Sequence, residues 1–521
     1  MIGLAEAAVL AYFALMLVIG AYGAQKVKTV ADFVAASRKL GFWMFCLLMA
    51  SSLMSGMTAL GVAGLGYLSG YANWWEQLAV PSALAVAIIL YGVKLNPLAH
   101  KYNYLTLQDY LAHRYNDKRY IRGISGMVSA FVSTVYLIGQ YVAIGIVVKV
   151  VLGWEYWQGC LLATIVVVLY VLAGGLISVA WTSFLQGLIL LFGILLLTPP
   201  LINSVGGWVA LNEKLAMITS GPFAKWLTMP WGPWEVPLVS PMFNFTLFGL
   251  AVLLGLSVAP HIINNVIVFK EPKYVKWAPL AVFLISLPVL VSVKLIGMAG
   301  RVAVWEGWLS LPAHPVVAGS KWQDMILPML AKQVLPYSVF VFIAVIILAA
   351  VMSTTDRLML TVATNIGYDI FKNMLKPTAK DYVVNWISRL TVIVLGVIVY
   401  ILALTPPPLI AWLIWTALGV MFTTWFPVVV AGLYWRRANR PGAIAGMLAG
   451  FVGTIVAGYV AAKPPIGLGI PLKLFGAPFY FPLVGFITSL VALIIVSLLT
   501  RPEPEQILNE TMTGVRAKRT T

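Results

Sequence analysis

What most constrains this chain is the succession of uncharged apolar runs, each about 20 residues long, that fills it from residue 4 to residue 500. As helix, such a run matches a hydrocarbon core about 30 Å thick. Only 10% of the 521 residues are charged and 61% are hydrophobic, more apolar surface than a water-soluble fold can cover. The expected fold class is an all-α polytopic membrane protein. Thirteen transmembrane helices can be drawn, over 4–24, 40–68, 74–95, 123–151, 156–173, 178–198, 243–268, 277–300, 336–366, 383–403, 408–433, 441–461 and 479–500.

Charge tests this alternation. With the N-terminus outside, 24 of the 34 Lys and Arg residues fall in inner loops or at the inner ends of spans, 7 in outer loops and 3 elsewhere within spans. Basic residues collect on the cytosolic side, so the bias favours a multi-pass plasma-membrane protein with an outer N-terminus and a cytosolic C-terminus. It also accounts for the net charge of +17 without a nucleic-acid partner, because the basic residues are dispersed through short loops. Residues 1–24 lack a basic leader and carry a full-length apolar run, so they read as a first helix, not a cleavable signal. Cys46 and Cys160 both lie in apolar spans and offer neither a disulfide framework nor metal spacing.

Two spans are interrupted. The second contains Ala50-Ser-Ser-Leu-Met-Ser-Gly-Met-Thr58, followed by Gly61, Gly64 and Gly66. The seventh contains Gly255-Leu-Ser-Val-Ala-Pro-His261. Freed carbonyls at membrane depth persist only where protein or a wet cavity receives them, although small residues also serve close helix packing. The two interrupted spans are five apart and run in opposite directions, the pattern of an inverted-repeat transporter. The chain then divides into an extra N-terminal helix and cytosolic loop (1–39), a first five-helix repeat (40–198), an extracellular cap loop (199–242), a second five-helix repeat (243–433) with an outer loop at 301–335, two C-terminal helices (434–500) and a cytosolic tail (501–521).

Span 9 and its exit read Leu348-Ala-Ala-Val-Met-Ser-Thr-Thr-Asp-Arg, ending in Tyr368-Asp-Ile-Phe-Lys372. This resembles the A-A-x-M-S-T-x-D…D-I-Y-K signature of the sodium:solute symporter family. Ser37-Arg-Lys-Leu-Gly41 before the serine-rich break, Ala173-Gly-Gly through Trp181-Thr-Ser-Phe-Leu-Gln186, and Gly432-Leu-Tyr-Trp-Arg-Arg through Gly442-Ala443 are similar to three further motifs of that family, in the same order. The resemblance implies a leucine-transporter-like 5+5 inverted repeat, alternating access and sodium-coupled uptake. The Gly432 motif, with Thr405-Pro-Pro-Pro before it, resembles the pantothenate and monocarboxylate branches, with proline, other amino acids or sugars as alternatives.

Sodium is a hard cation that takes oxygen ligands. The resemblance implies a site made by the carbonyls of Ser51, Met54 and Ala350 and the hydroxyls of Ser353 and Thr354; the competing reading has both hydroxyls bonded back to their own helix. The family often carries aspartates where this chain has Leu53 and Ser183, which argues for one coupled ion. Ser183 remains a possible oxygen donor. Asp356, an acid inside a span, suits tuning of the ion site, a proton relay in a proton-coupled symporter, or a pairing with Arg357. Arg357 itself is expected to snorkel toward the cytosol. Lys294 either attracts an anion or reaches the outer interface, Glu76 is placed at that interface, and His261 either meets a carboxylate or sits satisfied in the core. Substrate candidates are Ser55, Gly56 and Thr58 after the first break, Ser257 at the second, Gln77, Tyr136 and Gln140 four apart on span 4, and Trp412. The partners expected are a small organic solute and the lipid bilayer, with no obligate protein partner. No nucleotide loop, zincin motif or metal-spaced histidine pair supports an enzyme.

Overall fold

A computed structural model describes residues 3–24, 41–104, 106–267, 269–461 and 472–512. The predicted basic loop at 25–40, with the Ser37 motif, and the end of the tail lie outside the described residues. The chain is nearly all helix. In order come α1 (Leu4–Ala24), α2 (Phe42–Ser51), a π-helical turn Met57–Gly61 running into α3 (Val62–Ser69), α4 (Trp75–Tyr102), α5 (Leu107–Arg114), α6 (Tyr120–Leu152) and α7 (Tyr156–Asn203). There follow α8 (Gly207–Met217), α9 (Pro241–Ser257), α10 (Pro260–Ile267), α11 (Ala278–Trp305), α12 (Ile326–Val334), α13 (Tyr337–Leu375), α14 (Asp381–Ala403), α15 (Ile410–Tyr434), α16 (Arg440–Ala461), α17 (Pro482–Leu499) and α18 (Glu505–Met512). One two-residue hairpin pairs Lys473–Leu474 with Ala477–Pro478.

Among the described residues nine helices are long and apolar enough to cross a membrane, ten if α9 and α10, bent by 50°, count as one. Three predicted spans fall on shorter apolar helices, Leu4–Val18, Phe42–Ser51 and Tyr156–Leu169, so helix length alone does not establish thirteen. The predicted turn between spans five and six is also corrected. The backbone of α7 is helical for 48 residues without a loop, because nothing in the Gly174-Gly175 step compels the helix to stop. The side chains of residues 173–184 lie outside the described residues.

Burial sorts the helices. In α6, α13 and α15, 78% of the apolar window is buried, so these form the centre, whereas α14 and α17, at 28%, present Trp386, Ile401 and Leu499 to the surroundings, as lipid-facing helices do. Glycines after the first break serve close packing. Gly66 faces the Lys294 backbone and Gly297 faces the Ala63 backbone, which brings α3 and α11 together more closely than any side chain would allow. The two sequence readings of the small residues therefore apply to neighbouring stretches: residues 52–56 interrupt the helix, and Gly66 packs it.

Candidate functional site

The end of α2 is built by serines. Ser51 and Ser52 hydroxyls both donate to the Leu48 carbonyl, at 2.9 and 2.7 Å, beside the Ser52 amide at 3.1 Å, so three donors share one acceptor where the helix ends. The chain tightens through Leu53 N to Ala50 O (3.1 Å) and Met54 N to Ser51 O (3.0 Å), then opens. Three contacts hold the open segment. Thr58 Oγ1 donates to Leu53 O at 2.6 Å, the Gly56 amide donates to Gln140 Oε1 at 2.8 Å, and Met54 O turns toward α13.

There the Met54 carbonyl accepts from Ser353 Oγ at 3.0 Å and from Thr354 Oγ1 at 2.9 Å. Ser353 also lies 2.9 Å from Ala350 O. Four of the five oxygens predicted for the ion site thus meet at one place, and the fifth, Ser51 O, is one tight turn away. Thr354 does not bond back to its own helix. The site carries no carboxylate among its predicted ligands, and every oxygen in it is neutral, which fits a hard monovalent cation. Gly187 of α7 packs against Ser51; Ser183 stands one turn before it, with its side chain outside the described residues.

The substrate candidates divide. Gly56, Gln140, Ser55 and Tyr136 cluster at the break; the Tyr136 hydroxyl lies beside Ser55, and its ring meets His261 edge-on at 5.9 Å. Ser257 is engaged elsewhere, donating to Leu254 O at 2.7 Å and lying 3.2 Å from the Tyr91 hydroxyl. Thr58 spends its hydroxyl on Leu53, and Gln77 is fully buried on α4. Trp412 stacks edge-on with Trp415 at 5.0 Å.

Glu76 is not interfacial. It is 2% exposed and accepts from Trp415 Nε1 at 3.2 Å, while Lys294, fully buried, donates to Asn73 Oδ1 at 2.5 Å. A charge inside a span needs a partner of opposite sign, and Lys294 in the sequence was the signal for Glu76. Arg357 does not snorkel: its guanidinium donates to the Ser52 hydroxyl and lies 3.5 Å from the Ser51 hydroxyl. Its spacing of four from Ser353 puts both on one helix face, which would have located it. Asp356 is fully buried, and its Oδ1 accepts the Arg357 amide at 2.7 Å. Beyond Arg357 a cavity of about 110 Å³ opens between α5, α10 and α13.

A polytopic helical bundle with two interrupted helices, one of which presents its freed carbonyl to a Ser-Thr pair, is a membrane transporter and not an enzyme. The profile of the sodium:solute symporter family matches residues 33–450, and the chain belongs to that family. It is 27% identical to the osmoregulated proline transporter of Bacillus subtilis over 505 residues, 94% of each chain. It is also 27% identical to a sodium/proline symporter of Staphylococcus aureus over 504 residues, 94% of this chain and 91% of the relative, and to an uncharacterized symporter of Bacillus subtilis over 454 residues, 86% and 84%. Among solved structures, a sodium-coupled sialic acid symporter in its substrate-bound outward-open state superposes with a TM-score of 0.74 at 19% identity, covering 96% of this chain and 99% of that one. The nucleobase-cation-symport-1 family transporter Mhp1 in a closed conformation gives 0.53 at 13% identity, covering 92% and 97%. The fold is the leucine-transporter-like one.

Proposed function

We propose that this protein is a sodium-coupled symporter that imports a small organic solute bearing a carboxylate across the plasma membrane. A single sodium ion is held by the Ser51, Met54 and Ala350 carbonyls and the Ser353 and Thr354 hydroxyls. The observation that carries this reading is the convergence of both hydroxyls on Met54 O, which ties the interrupted helix of the first half to α13 of the second. Sodium replaces those hydroxyl protons as the partner of the carbonyl, and so stabilises whichever conformation keeps α2 and α13 together. The solute binds beside the break, where Gly56, Gln140, Ser55 and Tyr136 meet, and Lys294 on the outer side favours an anion. Proline, which two of the relatives carry by name, bears the same carboxylate.

The distribution of basic residues supports an orientation with the N-terminus outside and the C-terminus in the cytosol, in which the cavity beyond Arg357 opens on the cytosolic side. Uptake of labelled monocarboxylates and proline into proteoliposomes tests the reading. It should follow an imposed sodium gradient and fall sharply in Ser353→Ala and Thr354→Ala. Equal uptake with potassium in place of sodium overturns it, and uptake driven by a pH gradient alone assigns the coupling to protons.

A further inference from the structure

The geometry points to a second carboxylate-binding site, one helical turn inward from the ion site, formed by Arg357, Asn265 and His261 at the head of the cytosolic-side cavity. Arg357 comes from α13 and the other two from α10, the segment after the second break. Both Arg357 and Asn265 donate to one oxygen, Ser52 Oγ, the amide at 3.4 Å while it also donates to His261 O at 2.9 Å. A guanidinium and an amide that converge on a single hydroxyl are the donor set that a carboxylate accepts from, and the fork of the guanidinium suits its two oxygens. Ser52, already donating to Leu48 O, occupies the place such an anion takes.

A second observation is independent of the first. His261 is 7% exposed and lines the same cavity, yet neither ring nitrogen has a hydrogen-bond partner among the described residues. Buried polar groups are normally partnered, and an unpartnered imidazole facing a cavity marks a place where a polar solute or water is to come. Asn365 Nδ2, on the same cavity wall, is likewise without a partner among the described residues. The acid that also lines the cavity, Asp369, is held by Arg122 at 2.7 Å. A cavity of about 110 Å³ admits a solute of a few heavy atoms, the size of a small monocarboxylate. The inference rests on the transporter reading for the direction of traffic, in which this site receives the carboxylate after release from the break; binding itself does not depend on sodium.

Binding of labelled acetate, pyruvate and proline to the purified full-length protein in sodium-free buffer tests it, with acetamide as the uncharged control. Saturable binding of at least one carboxylate is expected, weakened about tenfold or more in Arg357→Gln and in Asn265→Asp and retained in Trp386→Ala, on the lipid-facing α14. Asn265→Asp keeps the size of the side chain and adds a competing carboxylate, so it reports even where Arg357→Gln does not fold. Absence of sodium-free carboxylate binding, equal affinity in Asn265→Asp and the parent, or equal loss in Trp386→Ala overturns the second site. None of these results bears on sodium-driven uptake, which stands or falls on its own gradient assay.

Discussion

The hydroxyl of Thr354 donates to the carbonyl oxygen of Met54 at 2.9 Å across 300 residues of sequence. Among the described residues the Thr354 hydroxyl donates to Met54 O alone, while its neighbour Ser353 divides between Met54 O and Ala350 O. The pair is asymmetric, and the asymmetry orders the expected losses. Thr354→Ala removes a proposed ligand oxygen that belongs wholly to the contact between α13 and the first break, and should raise the sodium concentration for half-maximal uptake about tenfold or more. Ser353→Ala should raise it as well, and Thr354→Ser should stay within about twofold of the parent. Sodium titration of uptake in proteoliposomes reads all three. A Thr354→Ala protein with unchanged sodium dependence places the ion elsewhere.

The Gly56 amide depends on Gln140, and the space at Gly56 depends on having no side chain. A Cβ there would stand 2.6 Å from Ala143 Cβ and 3.2 Å from Gln140 Oε1. Gly56→Ala should therefore push α6 away from the break and cost about 1–3 kcal/mol as overpacking. Gln140→Leu leaves a buried amide without an acceptor, for a similar cost of about 1–3 kcal/mol, whereas Gln140→Glu retains the acceptor. Thermal unfolding in detergent ranks them: both Gly56→Ala and Gln140→Leu fall below the parent, with Gln140→Glu between.

Much of this arrangement was legible in the residues. The apolar runs defined a polytopic helical protein, the serines marked the first break, Pro260 the second, and the Ser353-Thr354 pair the helix that faces Met54. The span count was less legible, because an interrupted helix breaks into pieces shorter than a bilayer, and because Gly-Gly inside an apolar run does not compel a turn. Side-chain direction was the main loss. Hydropathy assigns Glu76 and Arg357 to the nearest water, but each finds its partners inward, on Trp415 and on Ser52, and only three-dimensional packing supplies those partners. Ser257 shows the reverse: it reads as a free hydroxyl beside a break, and its own helix and Tyr91 already use it.

Asp324, in the loop between α11 and α12, is buried and accepts the Ile410 amide at 2.9 Å, which pins the start of α15. Burial pushes its carboxyl from the ordinary 3.8 up to about 7. A raised carboxyl means that the folded state holds its proton in a window where the unfolded chain has lost it. Stability therefore falls as pH rises from about 4 to about 7, by at most about 1.4 kcal/mol per pH unit, and levels off above that window. Asp324→Asn keeps an acceptor for Ile410 and cannot titrate. The melting temperature of the parent should drop between pH 5 and pH 8 by more than that of Asp324→Asn. Parallel curves for the two proteins would show that this carboxyl is not the group responsible.

The last expectation concerns Lys294 and Glu76, a base and an acid both buried in the bundle and within electrostatic reach of each other, each with a neutral partner of its own, Asn73 and Trp415. Removing one charge leaves the other buried without compensation, which typically costs about 3–5 kcal/mol, whereas removing both returns much of that cost. Lys294→Met and Glu76→Gln should each unfold well below the parent, and the double variant should lie above both single variants. Transport separates structure from function in the same series. If Lys294 does no more than neutralise Glu76, the double variant recovers uptake along with stability. If Lys294 also draws in an anionic solute, the double variant recovers its melting temperature while the solute concentration for half-maximal uptake stays raised, and the sodium concentration for half-maximal uptake stays near the parent value because the ion site at Met54 and Thr354 is untouched.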